Sequence, residues 1–534
     1  MNRIADRIAE TLYAAGVRHA FGMPGGEVVT LLDALERAGI RFVLARNETA
    51  AAMMAAAASV VGGAPGLLVT TLGPGLANAV NGVADAAQER TPLLVISGVV
   101  ERSIRARYTH QVVDHAAMLR PLVKASFEIE PESAEATIAR ALRLATTPPF
   151  GPVHLDLSPT TAALPAQGAP ASRNGASQPL APDPADPAVA AVRERLARAE
   201  RPLLVAGFDA ARGGAAAAIC RLADTRRMPV ITTYKAKGVL DENHPCSLGG
   251  AGLSPLADTM LLGMVRDADL VLLAGYDPIE MRPGWLGVPP HPERVVELGW
   301  PVDHAMHEAG LRLCGDPAQL LAALADGCAP GESWPGGAVA DARAALARAF
   351  ASPADWGPHA VFETLAETAG DPTVTIDSGA HRILLSQMWR ASRPLSLLQS
   401  AGWCTMGSAI PLAIGAALAE PSRRAIAVLG DGGLEMTLGE LGTIRDQALP
   451  LTILVLQDES LGLIELKQAA AGLTRTGVTL GRTDYTAVAR AFGGLGVECR
   501  DRASLRSALA EAASRSAFTL ITCPIDARAY VDRI

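Results

Sequence analysis

Asp431 and Asp458 are the residues whose type and spacing say most about chemistry. Asp431 stands in Gly430-Asp431-Gly432 directly after the apolar run 425–429, and Asp458 follows 27 residues later, after a second apolar run over 451–456. The segment between them, near 436–447, is helix-like, so the stretch predicts strand, helix and parallel strand. A right-handed crossover then puts both carboxylates at the carboxyl edge of one sheet, where open α/β sheets bind ligands. The glycines let the backbone approach an anion at the following helix N-terminus. Two hard carboxylates beside a phosphate-sized anion suit Mg²⁺, which prefers a few protein oxygens plus phosphate oxygens. The spacing alone also suits a strand-to-helix turn with a capping Asp and an unrelated loop Asp.

The elements that must position these residues repeat along the chain. The run 67–72 leads into Gly73-Pro74-Gly75, a helix-like 77–88, Pro92 and a strand over 93–97. That order mirrors 425–429, Gly430-Asp431-Gly432, helix, Pro450 and strand, with a glycine-to-proline spacing of 17 in one half and 18 in the other. Any doubly wound α/β fold can produce such units, so the echo alone does not establish duplication. Between the two halves, strands are expected at 201–207, 229–233 and 270–274. The stretch 160–190, rich in Pro, Ala and Ser, reads as an extended linker, and a weaker boundary falls near 331–340. The fold class is therefore α/β, with three doubly wound parallel-sheet domains over 1–165, 191–340 and 341–534 and a linker over 166–190.

Composition narrows the function classes. The 534 residues are 49% hydrophobic, enough for about three cores. A net charge of −8 without a basic cluster argues against nucleic acid or an anionic membrane as partner. Seven cysteines are scattered with no CxxC pair, which disfavours a disulfide scaffold or a zinc site. Asp6 and Glu10 interrupt what a leader would keep apolar or basic, while Ile4, Ile8 and Leu12 recur at helical spacing, so the N-terminus reads as a domain helix and the chain as cytoplasmic. The small-apolar run 50–61 is too short to span a bilayer and reads as a buried helix. No GxGxxG fingerprint follows a strand, which counts against a nicotinamide dehydrogenase.

The segment GDGGLEMTLGELGTIRDQALPLTILVLQDESLG, residues 430–462, resembles the cofactor signature of thiamine-diphosphate enzymes of the acetolactate synthase and 2-oxo acid decarboxylase group. The resemblance covers nearly the whole chain and implies that the first and last domains are of like fold, binding the pyrimidine and the diphosphate of thiamine diphosphate. It implies Asp431, Asp458 and the carbonyl of Ser460 as Mg²⁺ ligands, with Gly430, Gly432 and Gly433 around the diphosphate. This sequence has Gln457-Asp458 where Asn-Asn is commoner, which keeps an oxygen ligand and adds charge. Gly379 and His381, in DSGAHRILLSQMW, fall where the family places diphosphate contacts. Gly402-Trp403-Cys404-Thr405-Met406-Gly407 resembles the family's GLGTMG; by that match Met406 wedges between the cofactor rings and the Cys404 carbonyl accepts from the 4′-amino group.

By itself Glu48, ahead of the Ala-rich helix, suits the helix dipole. The surrounding FGMPGGEVVTLLDAL and RNETAAAMMAAAAS resemble the family's N-terminal domain, in which this glutamate contacts N1′ of the aminopyrimidine and activates C2. The resemblance has Glu48 act on cofactor held by a neighbouring subunit, implying a homodimer or homotetramer with active sites at the subunit interface.

Only four lysines occur against 43 arginines, so each retained Lys invites a local reason. Lys124, in RPLVKAS, matches the basic position of RSITKHN-like segments, with Gln111 and Arg120 in matching spacing. Lys467, in GLIELKQ, resembles the GLIEWKQ segment of catabolic acetolactate-synthase-like proteins. The His-His pair of pyruvate decarboxylases is missing, and Thr71 stands where benzoylformate decarboxylase has a histidine. The expected catalytic set is Glu48, Gln111, Lys124 and Lys467, and the expected activity is decarboxylation of a 2-oxo acid with carboligation to a carbonyl acceptor. A decarboxylase releasing aldehyde, a thiamine-dependent C–C lyase and an inactive regulatory paralogue are the alternatives. FAD is possible in the central domain but not favoured, because GYDPIEMRPGW, residues 275–285, stands where flavin-bearing relatives have an RFDDR-like segment.

Overall fold

The structure, a computed structural model, describes residues 2–166, 186–351 and 355–531. Three six-stranded parallel sheets account for them, each flanked by helices. Their central strands, such as Leu93–Gly98 and Thr452–Gln457, are buried along their whole length. Strands covered by helices on both faces must be apolar throughout, which explains their unbroken Val, Ile and Leu runs.

The first sheet runs in spatial order Arg41–Leu44, His19–Met23, Gly66–Thr70, Leu93–Gly98, Pro152–Leu157 and Ser126–Glu128. The last runs Leu397–Gln399, Thr373–Ile376, Ala425–Gly430, Thr452–Gln457, Thr519–Pro524 and Leu495–Glu498. Numbered within each domain, both orders are 2-1-3-4-6-5, so the faint sequence echo between the halves is a shared topology. The central sheet differs: numbered in the same way its order is 3-2-1-4-5-6, that of dinucleotide-binding doubly wound folds.

The two like domains meet through equivalent helices. Glu48–Gly62 follows the second strand of its domain, capped at its start by Asn47, whose side chain accepts from Thr49 N at 2.8 Å. Ala409–Ala419 follows the second strand of the last domain. Both are alanine-rich, and a Cβ at Gly415 would lie 2.1 Å from the Met54 carbonyl oxygen, so this approach needs glycine. The small side chains of these helices thus serve close helix–helix packing.

Several boundaries differ from expectation. The helix Pro187–Arg198 begins inside the stretch read as linker, because Asp186 accepts from Ala188 N and Pro187 suits a first helical turn. The rest of that linker, 167–185, lies outside the described residues. The helix Ala338–Phe350 straddles the cut expected at 340. The helix expected over 436–447 is shorter, Glu440–Asp446, and is preceded by a separate helix, Asp431–Met436, that starts at the candidate metal ligand itself. No helix among the described residues is long and apolar enough to cross a membrane.

Candidate functional site

At the carboxyl edge of the last sheet, Ala425–Gly430 and Thr452–Gln457 pair directly, with Gly430 opposite Leu456. The residues that follow, Asp431 and Asp458, therefore emerge side by side. Asp431 is 2% exposed; its Oδ1 accepts from Gly432 N at 2.9 Å and its Oδ2 from Glu459 N at 2.8 Å. Asp458 Oδ1 accepts from Ser460 N at 3.3 Å. Burial, then the neighbouring Asp431 charge, push the Asp458 carboxyl up to about 7, and burial raises Asp431 as well. A buried carboxylate whose charge hinders the ionisation of the half-buried one beside it forms with it a donor set that a divalent cation would relieve. Ser460 is buried, and its carbonyl accepts no hydrogen bond among the described residues, leaving that oxygen free as a third hard ligand.

His381 closes the other side of this edge. Its ring lies over two glycines: a Cβ at Gly379 would sit 2.4 Å from its Cε1, and one at Gly430 3.4 Å away. Burial, then Arg382, push the imidazole down to about 4, and its buried Nε2 has no hydrogen-bond partner among the described residues. An orphaned ring nitrogen beside Gly430 fits a bound anion, which would favour the protonated ring and accept from it. The carboxylate pair, the free carbonyl and this nitrogen together match a magnesium-diphosphate group.

The segment 402–408 is tied to this edge by a residue that motif reading missed. Asp377, at the end of Thr373–Ile376, accepts from Gly407 N at 2.8 Å, Ser408 N at 3.1 Å and Ser378 N at 2.9 Å. Its signal was faint: an Asp ending a strand, two residues before Gly379. Cys404 adopts a left-handed φ of 58°, sparsely populated without glycine, and its carbonyl accepts from Ser378 Oγ at 2.8 Å. Met406 reaches across the motif, its Cε 3.6 Å from where a Cβ on Gly432 would stand. Gly433 has no room for a side chain either, since a Cβ would lie 2.0 Å from Asp377 Oδ2.

The catalytic candidates of the first domain distribute unevenly. Glu48 is 4% exposed, and its Oε2 accepts from Asn78 Nδ2 at 3.2 Å, a partner no motif indicated. Gly75 backs the other oxygen, at 3.4 Å from a would-be Cβ. Gln111, at φ 57°, lays its carbonyl over Gly73 in the same loop, so Glu48 and Gln111 flank Gly73-Pro74-Gly75. Glu27 accepts from Thr71 Oγ1 at 2.6 Å beside them. Lys124 is elsewhere. Its amide bonds the Pro152 carbonyl at the amino end of a strand, and its ammonium is spent on the carbonyls of Leu144 and Thr147. Those carbonyls close the helix Ala134–Thr146 and its cap, at the sheet edge opposite Glu48. Lys467 is exposed on Gly462–Ala470, and its ammonium has no polar partner among the described residues.

The chain belongs to the thiamine pyrophosphate enzymes. It matches that family's N-terminal TPP binding domain over residues 2–118, its central domain over 189–324 and its C-terminal TPP binding domain over 377–523. It is 29% identical to the acetolactate synthase of Bacillus subtilis over all of this chain and 94% of that protein. It is 28% identical to the catabolic acetolactate synthase of Raoultella terrigena, covering 98% of this chain and 95% of that one. A probable 2-ketoarginine decarboxylase, AruI, of Pseudomonas aeruginosa is 30% identical, over 95% of this chain and 91% of that protein. The chain is thus a thiamine pyrophosphate enzyme of the acetolactate synthase type.

Proposed function

We propose that this protein binds thiamine diphosphate through Mg²⁺, decarboxylates a 2-oxo acid and joins the remaining acyl unit to a carbonyl acceptor. The observation that carries the carboligase reading is Lys467, an exposed ammonium without a partner on the helix that begins two residues after Ser460. A cation there suits an acceptor that keeps its carboxylate, whereas a decarboxylase needs only a proton as acceptor. Its likeness to two acetolactate synthases over 94% and 95% of their length supports the same reading.

When bound, thiamine diphosphate supplies the carbon nucleophile and the electron sink for decarboxylation. This chain's residues would do the rest. Asp431, Asp458 and the Ser460 carbonyl hold the metal, His381 and the glycines receive the diphosphate, and Met406 and Cys404 shape the aminopyrimidine end. Glu48, buried and steadied by Asn78, would face N1′ and exchange a proton with it. In this reading Glu48 serves a partner's cofactor in a dimer or tetramer. Product analysis with pyruvate and a panel of branched, aromatic and basic 2-oxo acids tests the reading. A 2-hydroxy-3-oxo acid supports it, and aldehyde as sole product replaces it.

The second reading, a non-oxidative decarboxylase, rests on the relative of that printed activity. For the central domain we propose a structural role without flavin. Its crevice is filled by backbone: Asp209 N donates to the Gly275 carbonyl at 3.1 Å, and a Cβ at Gly207 would lie 2.3 Å from that same oxygen. A stoichiometric flavin absorption band in the purified protein would overturn this.

A further inference from the structure

One face of the helix Pro74–Gln88 carries a row of polar residues that composition does not single out. Asn78, Asn81, Asp85 and Glu89, the last at the helix C-cap, are spaced by three, four and four, so they stack along one side. The row starts at Glu48, through Asn78. It then reads a segment more than 300 residues away. Asn81 donates to Thr405 Oγ1 at 3.0 Å and accepts from Trp403 Nε1 at 2.7 Å. Asp85 accepts from Ser400 Oγ. Glu89 Oε1 accepts from two consecutive amides, Ala401 N at 2.8 Å and Gly402 N at 2.6 Å.

The other Glu89 oxygen, Oε2, pairs with the Lys235 ammonium of the central domain. That ammonium lies 3.6 Å from the Phe208 ring centre, and Lys235 N donates to Glu280 Oε2 at 3.4 Å. Glu89 is 7% exposed, so one buried carboxylate joins three domains behind a single loop. Cys404 Sγ donates to the Ala401 carbonyl at 2.9 Å, and Arg282 and Arg382 each reach Sγ at 3.4 Å. Any shift of Ala401 is therefore passed to Cys404, whose left-handed backbone is adopted only because its surroundings impose it.

We infer that Glu89 is a positioning residue for the cofactor loop, holding Ala401 and Gly402 so that Cys404 and Met406 keep the conformation the bound aminopyrimidine requires. Asn78 and Asn81 on the same face set Glu48 and Thr405 from one rigid element. The consequence at Met406 rests on the thiamine-diphosphate reading; the hold on the loop does not.

Hydrogen exchange of the cofactor-free protein, followed by mass spectrometry, separates the two. In Glu89→Ala the peptide spanning 398–408 is expected to lose about tenfold in protection, since a buried and a half-buried amide lose their acceptor, while Ala425–Gly430 stays as in wild type. Glu89→Gln, which keeps an acceptor for both amides, is expected to restore most of that protection. Thiamine-diphosphate affinity measured by calorimetry with Mg²⁺ should weaken by about tenfold in the Ala variant and far less in the Gln variant. Unchanged protection of the loop in Glu89→Ala, or a loss spread equally over 425–430, overturns the assignment. If the Ala variant does not fold, Glu89→Asp, which withdraws the carboxylate by one methylene, must give the same local loss. Wild-type protein that binds no thiamine diphosphate would instead sink the cofactor reading and leave the exchange result standing.

Discussion

The first and last domains share one strand order and spend it differently. In the last, the third and fourth strands are followed at once by Asp431 and Asp458, a buried and a half-buried carboxylate side by side. The residues that follow the matching strands of the first domain are Thr71 and Val99, and its carboxylate, Glu48, follows the second strand instead. Gly98 leaves no room for a side chain, since a Cβ there would lie 2.7 Å from Glu27 Cβ. The helix after the third strand is also unlike. It runs unbroken over Pro74–Gln88 in the first domain but breaks after Met436 in the last. The frame sets where loops emerge, and a few loop residues decide whether an edge binds metal and phosphate or offers a single proton carrier.

If that division of labour is right, the largest effect comes from the proton carrier. Glu48→Gln keeps shape and capping, so the thermal midpoint should barely move while C2-proton exchange of bound cofactor slows by about 10²–10⁴-fold. Wild-type exchange, read by quenched-flow NMR, would break the comparison on the first-domain side. On the other side, Asp431→Ala should weaken Mg²⁺-dependent thiamine-diphosphate binding by about a hundredfold in calorimetry, as a charged ligand is lost. Asp458→Asn retains an oxygen and should stay within about tenfold. Equal losses in the two variants would mean that the extra charge of Asp458, and not its oxygen, matters.

The contact between the equivalent helices can be tested through Gly415. Ala would gain about 1 kcal/mol as a helix former, but its Cβ would press on the Met54 carbonyl, and overpacking costs about 1–3 kcal/mol. Packing should win, lowering the thermal midpoint of Gly415→Ala below wild type. Gly263→Ala, in Pro255–Asp267 with nothing near its Cβ, should raise it.

Smaller effects sharpen the picture. Lys467→Met should reduce the ratio of ligated product to CO₂ about two- to fivefold, the scale of an exposed charge, and equal loss of both would remove it from the acceptor site. Asp85 provides the pH test. Its fully buried carboxyl is pushed from 3.8 up to about 7, by burial first and then by Glu89. Between those values the native state keeps a proton that the unfolded chain has released, so native stability falls as pH rises through this window. Asp85→Asn still accepts from Ser400 but cannot ionise. Its thermal midpoint relative to wild type should rise from pH 4 to 7.5 and level off above; a constant difference would refute the shift.

Much of the fold was legible because its signals are local. Strand 270–274 coincides with Leu270–Ala274, and most other expected strands lie within one or two residues of those observed. One boundary that moved was set by a cap: Asp186 starts a helix inside a Pro- and Ala-rich stretch that composition reads as extended. At the site, Asp431, Asp458, Gly379 and His381 were found from spacing and motif, and the structure brings them to one edge. Lys124 was singled out for its rarity, yet rarity carries no direction, and its ammonium lies on helix-end carbonyls at the far edge. Asp377, Asn78 and Glu89 escaped notice because an Asp, an Asn and a Glu in such positions look like ordinary capping or solvated residues.

The sequence by itself determined which segments become buried parallel strands, where glycine loops interrupt them, and that paired carboxylates follow two strands at βαβ spacing. Those properties depend on periodicity and on neighbours within one βαβ unit. Only the tertiary structure decided that Asn78 steadies Glu48, that Asp377 and Glu89 grip the loop bearing Met406, and that Cys404 is held left-handed. The Glu89 bonds cross domains over more than 300 positions, and the Asn78 and Asp377 bonds each join separate elements of one domain about 30 positions apart; the burial that makes such bonds decisive exists only once those elements and domains have packed.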